Sequence, residues 1–130
     1  MKTDDHICLV TDSLSCAGTS EKTACVGGTP CIIEDGVATH PDPSAFAGSI
    51  ATSNRLVRVC VKEAGIPMYS AVKMITRNPV RIMGLSGKGE IKTGYDADVV
   101  IFDDEVNVIG VILQGEVVVS LLILYKEGNM

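Results

Sequence analysis

Near the start of the chain, Ile7-Cys8-Leu9-Val10 is continuously apolar and then meets Thr11-Asp12-Ser13. An uncharged run of this length ending in a polar cluster reads as a strand buried on both faces of a parallel sheet, with Asp12 at its C-terminal tip. Parallel strands are joined by crossovers of a dozen or more residues, usually helical, yet only six residues precede Ile7. Parallel neighbours for this strand are therefore expected to come from outside these 130 residues.

The rest of the pattern does not supply them. Thr23 to Val26, Pro30 to Ile33 and Val37 to Thr39 are short β-prone stretches separated by Gly27-Gly28-Thr29 and Glu34-Asp35-Gly36, which predicts a small antiparallel meander. The proline-rich stretch His40-Pro41-Asp42-Pro43 leads into Ser44 to Ser49, a loop by composition. Helical spacing follows: Leu56, Val57, Val59, Cys60, Val61 and Ala64 form one apolar face, with Thr52 or Ser53 as cap and Gly65 as stop. Pro67 is placed as the first residue of a second helix carrying Ala71, Val72, Met74 and Ile75, which should end before Asn78-Pro79. Asn78 is then expected to cap a last short helix, Pro79 to Met83. Strands return at Asp98 to Phe102, Val106 to Leu113 and Val117 to Leu124, the last two paired around Gln114-Gly115-Glu116.

Charge and cysteine usage narrow the function classes. With 16 acidic against 11 basic residues and no basic run, the chain has no electrostatic footprint for nucleic acid or an anionic membrane. A small-molecule partner fits better. The five cysteines, Cys8, Cys16, Cys25, Cys31 and Cys60, are odd in number and form no C-x-x-C pair, so reduced and mostly buried thiols in a cytoplasm are expected. The polar, acidic N-terminus is unlike a signal peptide, and the longest uncharged apolar run, Val117 to Tyr125, is too short to span a bilayer.

Four blocks, LVTDSLSCAG (Leu9 to Gly18), FAGS (Phe46 to Ser49), ITRNPVRIMGL (Ile75 to Leu85) and KGEIKTGYDADVVIFDDEVNVIGVILQGEVV (Lys88 to Val118), resemble in order and spacing the C-terminal part of N-acetylglucosamine-6-phosphate deacetylases, members of the amidohydrolase superfamily. The block from Lys88 onward is common to many amidohydrolases. The T-D and A-G pairs near the start, with A-G-S before the first helix, resemble the deacetylases in particular. The resemblance implies an α/β chain that is a C-terminal fragment of a (β/α)8 barrel plus part of a small β-sandwich domain. Residues 1–22 would be the last barrel strand and active-site loop, 23–43 a β-meander, 44–87 a loop and barrel-covering helices, and 88–130 the C-terminal strands of the small domain. Active sites of such barrels lie at the C-terminal strand ends, where the residues alone already put Asp12.

Amide hydrolysis near neutral pH needs a strengthened nucleophile and a proton for a poor amine leaving group. The resemblance implies that Asp12 takes a proton from the attacking water and passes it to the departing amine. It implies that Phe46, Ala47 and Gly48 contact the sugar, largely through main-chain atoms, with Phe46 standing where leucine is expected. It implies a divalent metal, zinc or similar, in the complete enzyme, with metal and phosphate ligands upstream of Ile7 and none in this chain, which alone should be inactive. A homo-oligomer, commonly a dimer, is implied too. Without the resemblance, Thr11-Asp12-Ser13 reads first as an ordinary strand-end turn or helix cap, and residues 46–48 read as well as a plain surface loop.

The only histidines, His6 and His40, match no ligand position, Arg77 and Arg81 read as surface or domain-packing ion pairs, and Asp96-Ala97-Asp98, though similar to an acidic metal motif, belongs with Gly94-Tyr95-Asp96, read as the turn into a strand. Two other readings stand beside the deacetylase: another amidohydrolase such as a dihydroorotase or adenine deaminase, and a non-catalytic β-rich interaction module.

Overall fold

The computed structural model describes residues 3–42 and 45–120, so the expected extension of the last strand to Leu124 and the tail beyond it lie outside the described residues. The chain divides into two compact units, residues 10–56 and residues 1–9 with 57–130.

The 10–56 unit is built on an antiparallel sheet in the order β1 (Thr23–Val26), β2 (Thr29–Glu34), β3 (Val37–Thr39) and β4 (Phe46–Gly48). Its two tight hairpins turn on Gly27-Gly28 and Asp35-Gly36, all four at positive φ, the twist that two-residue connections require. Cys31 pairs with Ala24, and Ala38 with Ile33, on the sheet's inner side, where Cys31 and Ala38 are buried. The three-stranded meander is therefore as expected. The loop expected at 44–49 is not: Phe46–Gly48 forms a fourth strand, because its backbone pairs with β3 through Ala38↔Gly48 and Thr39↔Phe46. Apart from Phe46 the composition there is small residues, and ladder pairing overrode it. Pro43 and Ser44 lie outside the described residues.

The other unit holds α1 (Ser53–Lys62, beginning just before the unit boundary), α2 (Met68–Ile75), α3 (Arg77–Ile82) and a second antiparallel sheet, β5 (Val99–Phe102), β6 (Val108–Leu113) and β7 (Glu116–Ser120). Helix α1 closes as expected: Ile66 N–H returns to the Cys60 carbonyl at 2.9 Å with Gly65 left-handed. Val57, Ala71 and Val106 are buried together, with Cys60, Val61, Ile66, Met68, Val72, Ile75 and Phe102 packed around them. Gln114 and Gly115, both at positive φ, make the tight turn between β6 and β7, and Asp98 Oδ1 accepts the Gln114 N–H at 2.9 Å.

Three local expectations are corrected. Pro67 is the cap of α2 rather than its first residue, with extended ψ of 138°. Asn78 does not cap the last helix. Thr76 does, and Asn78 sits in the first turn of α3 ahead of Pro79, whose missing N–H costs nothing in that turn. Freed from capping, the buried Asn78 amide donates to the carbonyls of Asp4 and Ile7, both at 2.7 Å. Third, Ile7 to Thr11 joins no ladder: it is not a strand here, and Val10 is 79% exposed instead of buried. The reason is that among the described residues one parallel bridge, Ser13↔Ser49, adjoins this segment and no neighbouring strand runs along it.

What leads into that segment is nevertheless anchored. Lys73 of α2 is buried and pairs with Asp4 and Asp5, each at 2.9 Å. Ser70 Oγ donates to Asp4 at 2.5 Å, Arg81 donates to the Asp5 carbonyl, and Leu9 N–H reaches the Met74 carbonyl at 2.9 Å. The Ser70 hydroxyl, then the Lys73 ammonium, hold the Asp4 carboxyl below its ordinary value.

Candidate active site

The candidate site lies wholly in the 10–56 unit. Asp12 follows the extended segment at φ 47°, in the left-handed region that non-glycine residues rarely adopt, though Asp tolerates it better than most. It is exposed, and among the described residues no hydrogen bond or ion pair engages its carboxylate. A free, exposed carboxylate held in an uncommon backbone conformation is the kind of outlier from which a functional hypothesis starts.

The strand β4 comes alongside. Ser13 and Ser49 form a parallel bridge, and Leu14 N–H donates to the Ser49 carbonyl at 2.8 Å. Asp12 and Gly48 each precede a bridge partner by one residue, so the candidate carboxylate and the candidate sugar-contacting strand run side by side, with about 4.8 Å between paired backbones. Within β4 the register shifts: two steps, Phe46 to Gly48, face one step, Ala38 to Thr39. Ala47 is therefore the extra residue of a bulge, a device that takes a residue out of the ladder and re-aims side chains near functional sites.

Gly48 carries a requirement of its own. Its φ is 150°, and a Cβ there would stand 2.9 Å from Leu14 Cδ2 and 3.0 Å from Leu14 Cγ. Only glycine allows Leu14 to close against the strand. Phe46 is 77% exposed, a large apolar surface at the start of this short strand. Of the residues that sequence reasoning named, Asp12 and Gly48 each adjoin the bridge Ser13↔Ser49, while Phe46 and Ala47 lie further along β4. It missed Ser13, Leu14, Ser49 and Ala51, which join the two segments, because pairing between segments remote in the chain leaves no signal in one dimension.

Arg77 forms the expected ion pair, with Glu90 at 3.3 Å, whereas Arg81 donates to the Asp5 carbonyl instead of pairing with a carboxylate. Asp96 and Asp98 hold Lys88 at 2.6 and 2.7 Å, contacts that raise the Lys88 pKa, Asp96 foremost. Among the described residues no three His, Cys, Asp or Glu side chains converge to hold a metal ion. All five cysteines are free thiols, but only Cys31 is buried, so the expectation of mostly buried thiols is corrected: Cys25 and Cys31 lie on opposite faces of a sheet that hides alternate residues only, and Cys8, Cys16 and Cys60, outside that sheet, are half-buried. Among the described residues no helix is long and apolar enough to cross a membrane.

The amidohydrolase family model matches residues 2–118, nearly the whole chain. The chain belongs to the amidohydrolase family. Within it, the N-acetylgalactosamine-6-phosphate deacetylase of Shewanella sp. (strain ANA-3) is 30% identical over 115 residues, 88% of this chain and 29% of that protein. The N-acetylglucosamine-6-phosphate deacetylase of Lysinibacillus sphaericus is 32% identical over 104 residues, 80% of this chain and 27% of that protein. The crystal structure of N-acetylglucosamine-6-phosphate deacetylase from Pasteurella multocida superposes with TM-score 0.81 at 26% identity, covering 89% of this chain and 31% of that one. This amidohydrolase chain thus spans under a third of the length of the relatives it matches.

Proposed function

We propose that this chain is the C-terminal third of a cytoplasmic, homo-oligomeric amidohydrolase that removes the acetyl group from an N-acetylhexosamine 6-phosphate, with N-acetylglucosamine 6-phosphate as the substrate. The observation that carries the reading is the bridge Ser13↔Ser49, which adjoins Asp12 on one side and the strand Phe46–Gly48 on the other, inside a chain that matches the family over residues 2–118. The names of the relatives support the substrate class, and their division between glucosamine and galactosamine makes the C4 epimer a matter for assay. In this reading residues 7–11, outside any ladder here, take the place of the last strand of a (β/α)8 barrel once the remainder of the longer protein pairs with them, the two sheets belong to the small β-domain, and the helices cover the barrel.

Asp12 accepts a proton from the attacking water and returns it to the amine as the C–N bond breaks, which spares the leaving group from departing as an anion. Its exposure and freedom from partners suit a group that must change protonation twice per turnover. The bulged strand at Phe46, Ala47 and Gly48 lines the sugar beside it. The family's divalent metal supplies the strengthened nucleophile and a polarised carbonyl. The described residues do not by themselves fit such an ion, so its ligands are assigned to the remainder of the longer protein.

The test is an assay of acetate release from N-acetylglucosamine 6-phosphate with added zinc. The chain alone should be inactive. A hybrid in which residues 7–118 replace the matching segment of the Pasteurella multocida enzyme should turn over, and Asp12→Asn in it should lower kcat by about a hundredfold or more with KM little changed. Turnover by the chain alone, or an active Asp12→Asn hybrid, sinks the proposal.

A further inference from the structure

We propose that Ser13 is a positioning residue: its hydroxyl, by bonding the Ala51 carbonyl, locks the Asp12 backbone in its left-handed conformation beside β4. The inference rests on Asp12 being the functional carboxylate, but its geometry stands apart from that reading. Ser13 Oγ donates to the Ala51 carbonyl, while the next residue, Leu14, donates its N–H to the Ser49 carbonyl at 2.8 Å. Ser49 Oγ in turn accepts the Ala51 N–H at 3.1 Å, so the receiving segment is itself braced.

The physical need for a second tether follows from the bridge being isolated. A single parallel bridge, Ser13↔Ser49, gives one hinge about which the Asp12 turn could rotate. Two acceptors two residues apart, reached from neighbouring donors, remove that rotation. The left-handed backbone costs about 1 kcal/mol or more for a residue with a Cβ, so it persists only where its surroundings over-determine it. Here three contacts do so on the C-terminal side of Asp12: the Ser13 hydroxyl, the Leu14 amide and the Leu14 side chain closing on Gly48. Of these only the Ser13 hydroxyl can be removed without touching the backbone or opening apolar packing. Ser13 is exposed, so neither core burial nor the hairpins depend on it.

The experiment uses the 130-residue chain and NMR. At positive φ the amide and α protons of one residue are unusually close, so Asp12 should show a strong intraresidue cross-peak between them, and Leu14 should show a protected amide. Ser13→Ala should weaken the Asp12 cross-peak toward that of an extended residue and speed Leu14 exchange about five- to tenfold, the loss of one modest hydrogen bond. Ser13→Thr keeps a hydroxyl at the same atom and should restore both. The same Asp12 signal in Ser13→Ala as in the parent chain, or a Ser13→Thr chain that behaves like Ser13→Ala, overturns the proposal. Because neither readout involves turnover, a failure of the deacetylase assay leaves this result intact and separately readable.

Discussion

Of the four residues with a Cβ at positive φ among the described residues, Asp35 and Gln114 turn hairpins, while Asp12 and Val106, at φ 47° and 60°, hold the left-handed conformation outside a hairpin turn and in opposite surroundings. Val106 is 1% exposed and packs with Val57 and Ala71, and its loop is gripped from several sides. Arg58 donates to the Glu105 and Val106 carbonyls at 2.7 and 3.0 Å and to Asn107 Oδ1 at 3.0 Å. Asp103 accepts the Glu105 and Asn107 N–H groups, and the Asn107 side chain first, then its backbone, holds the Asp103 carboxyl below its ordinary value. Strain at Val106 is offset by burial and serves packing. Asp12 buries nothing, its carboxylate is free, and its conformation is held only from the neighbouring residues. Strain that packing does not explain is the kind that points to function.

Changing each residue in turn can break the contrast. Val106→Gly should lose about 2 kcal/mol, because the forfeited burial of a valine side chain exceeds the relieved backbone strain; urea unfolding measures it. A neutral result would mean that Val106 is not a packing residue. Gly48→Ala should cost about 1 to 3 kcal/mol in the same measurement, since the new Cβ meets Leu14 in a conformation that suits glycine alone. Adding Leu14→Ala should relieve part of that cost, and strictly additive losses would argue against the close approach. Asp12→Gly should move the other way from Val106→Gly, gaining up to about 1 kcal/mol from relieved strain while abolishing any proton transfer. If it destabilises as Val106→Gly does, Asp12 is a structural turn residue and the functional reading weakens.

Helices and hairpins were legible because their signals are local: the spacing from Leu56 to Ala64, Gly27-Gly28, Asp35-Gly36, and Gln114-Gly115 each specify a period or a turn within a few residues. Asp12 was legible by the same logic, as the polar end of an apolar run, and by resemblance to a family motif. Other features depended on partners distant in the chain. Phe46–Gly48 became a strand only because β3 lay open to it, and Asn78 left its capping role because Asp4 and Ile7 offered carbonyls more than seventy positions away. The burial expected of Ile7 to Val10 failed for the converse reason: apolar residues can specify that a segment should be covered, but not what covers it. By itself, then, the sequence determined the local elements, the family and the identity of the candidate carboxylate. Only the tertiary structure decided that Ser13, Leu14, Ser49 and Ala51 tie that carboxylate's backbone to the strand beside it, because hydrogen bonds between remote segments leave no periodicity to read.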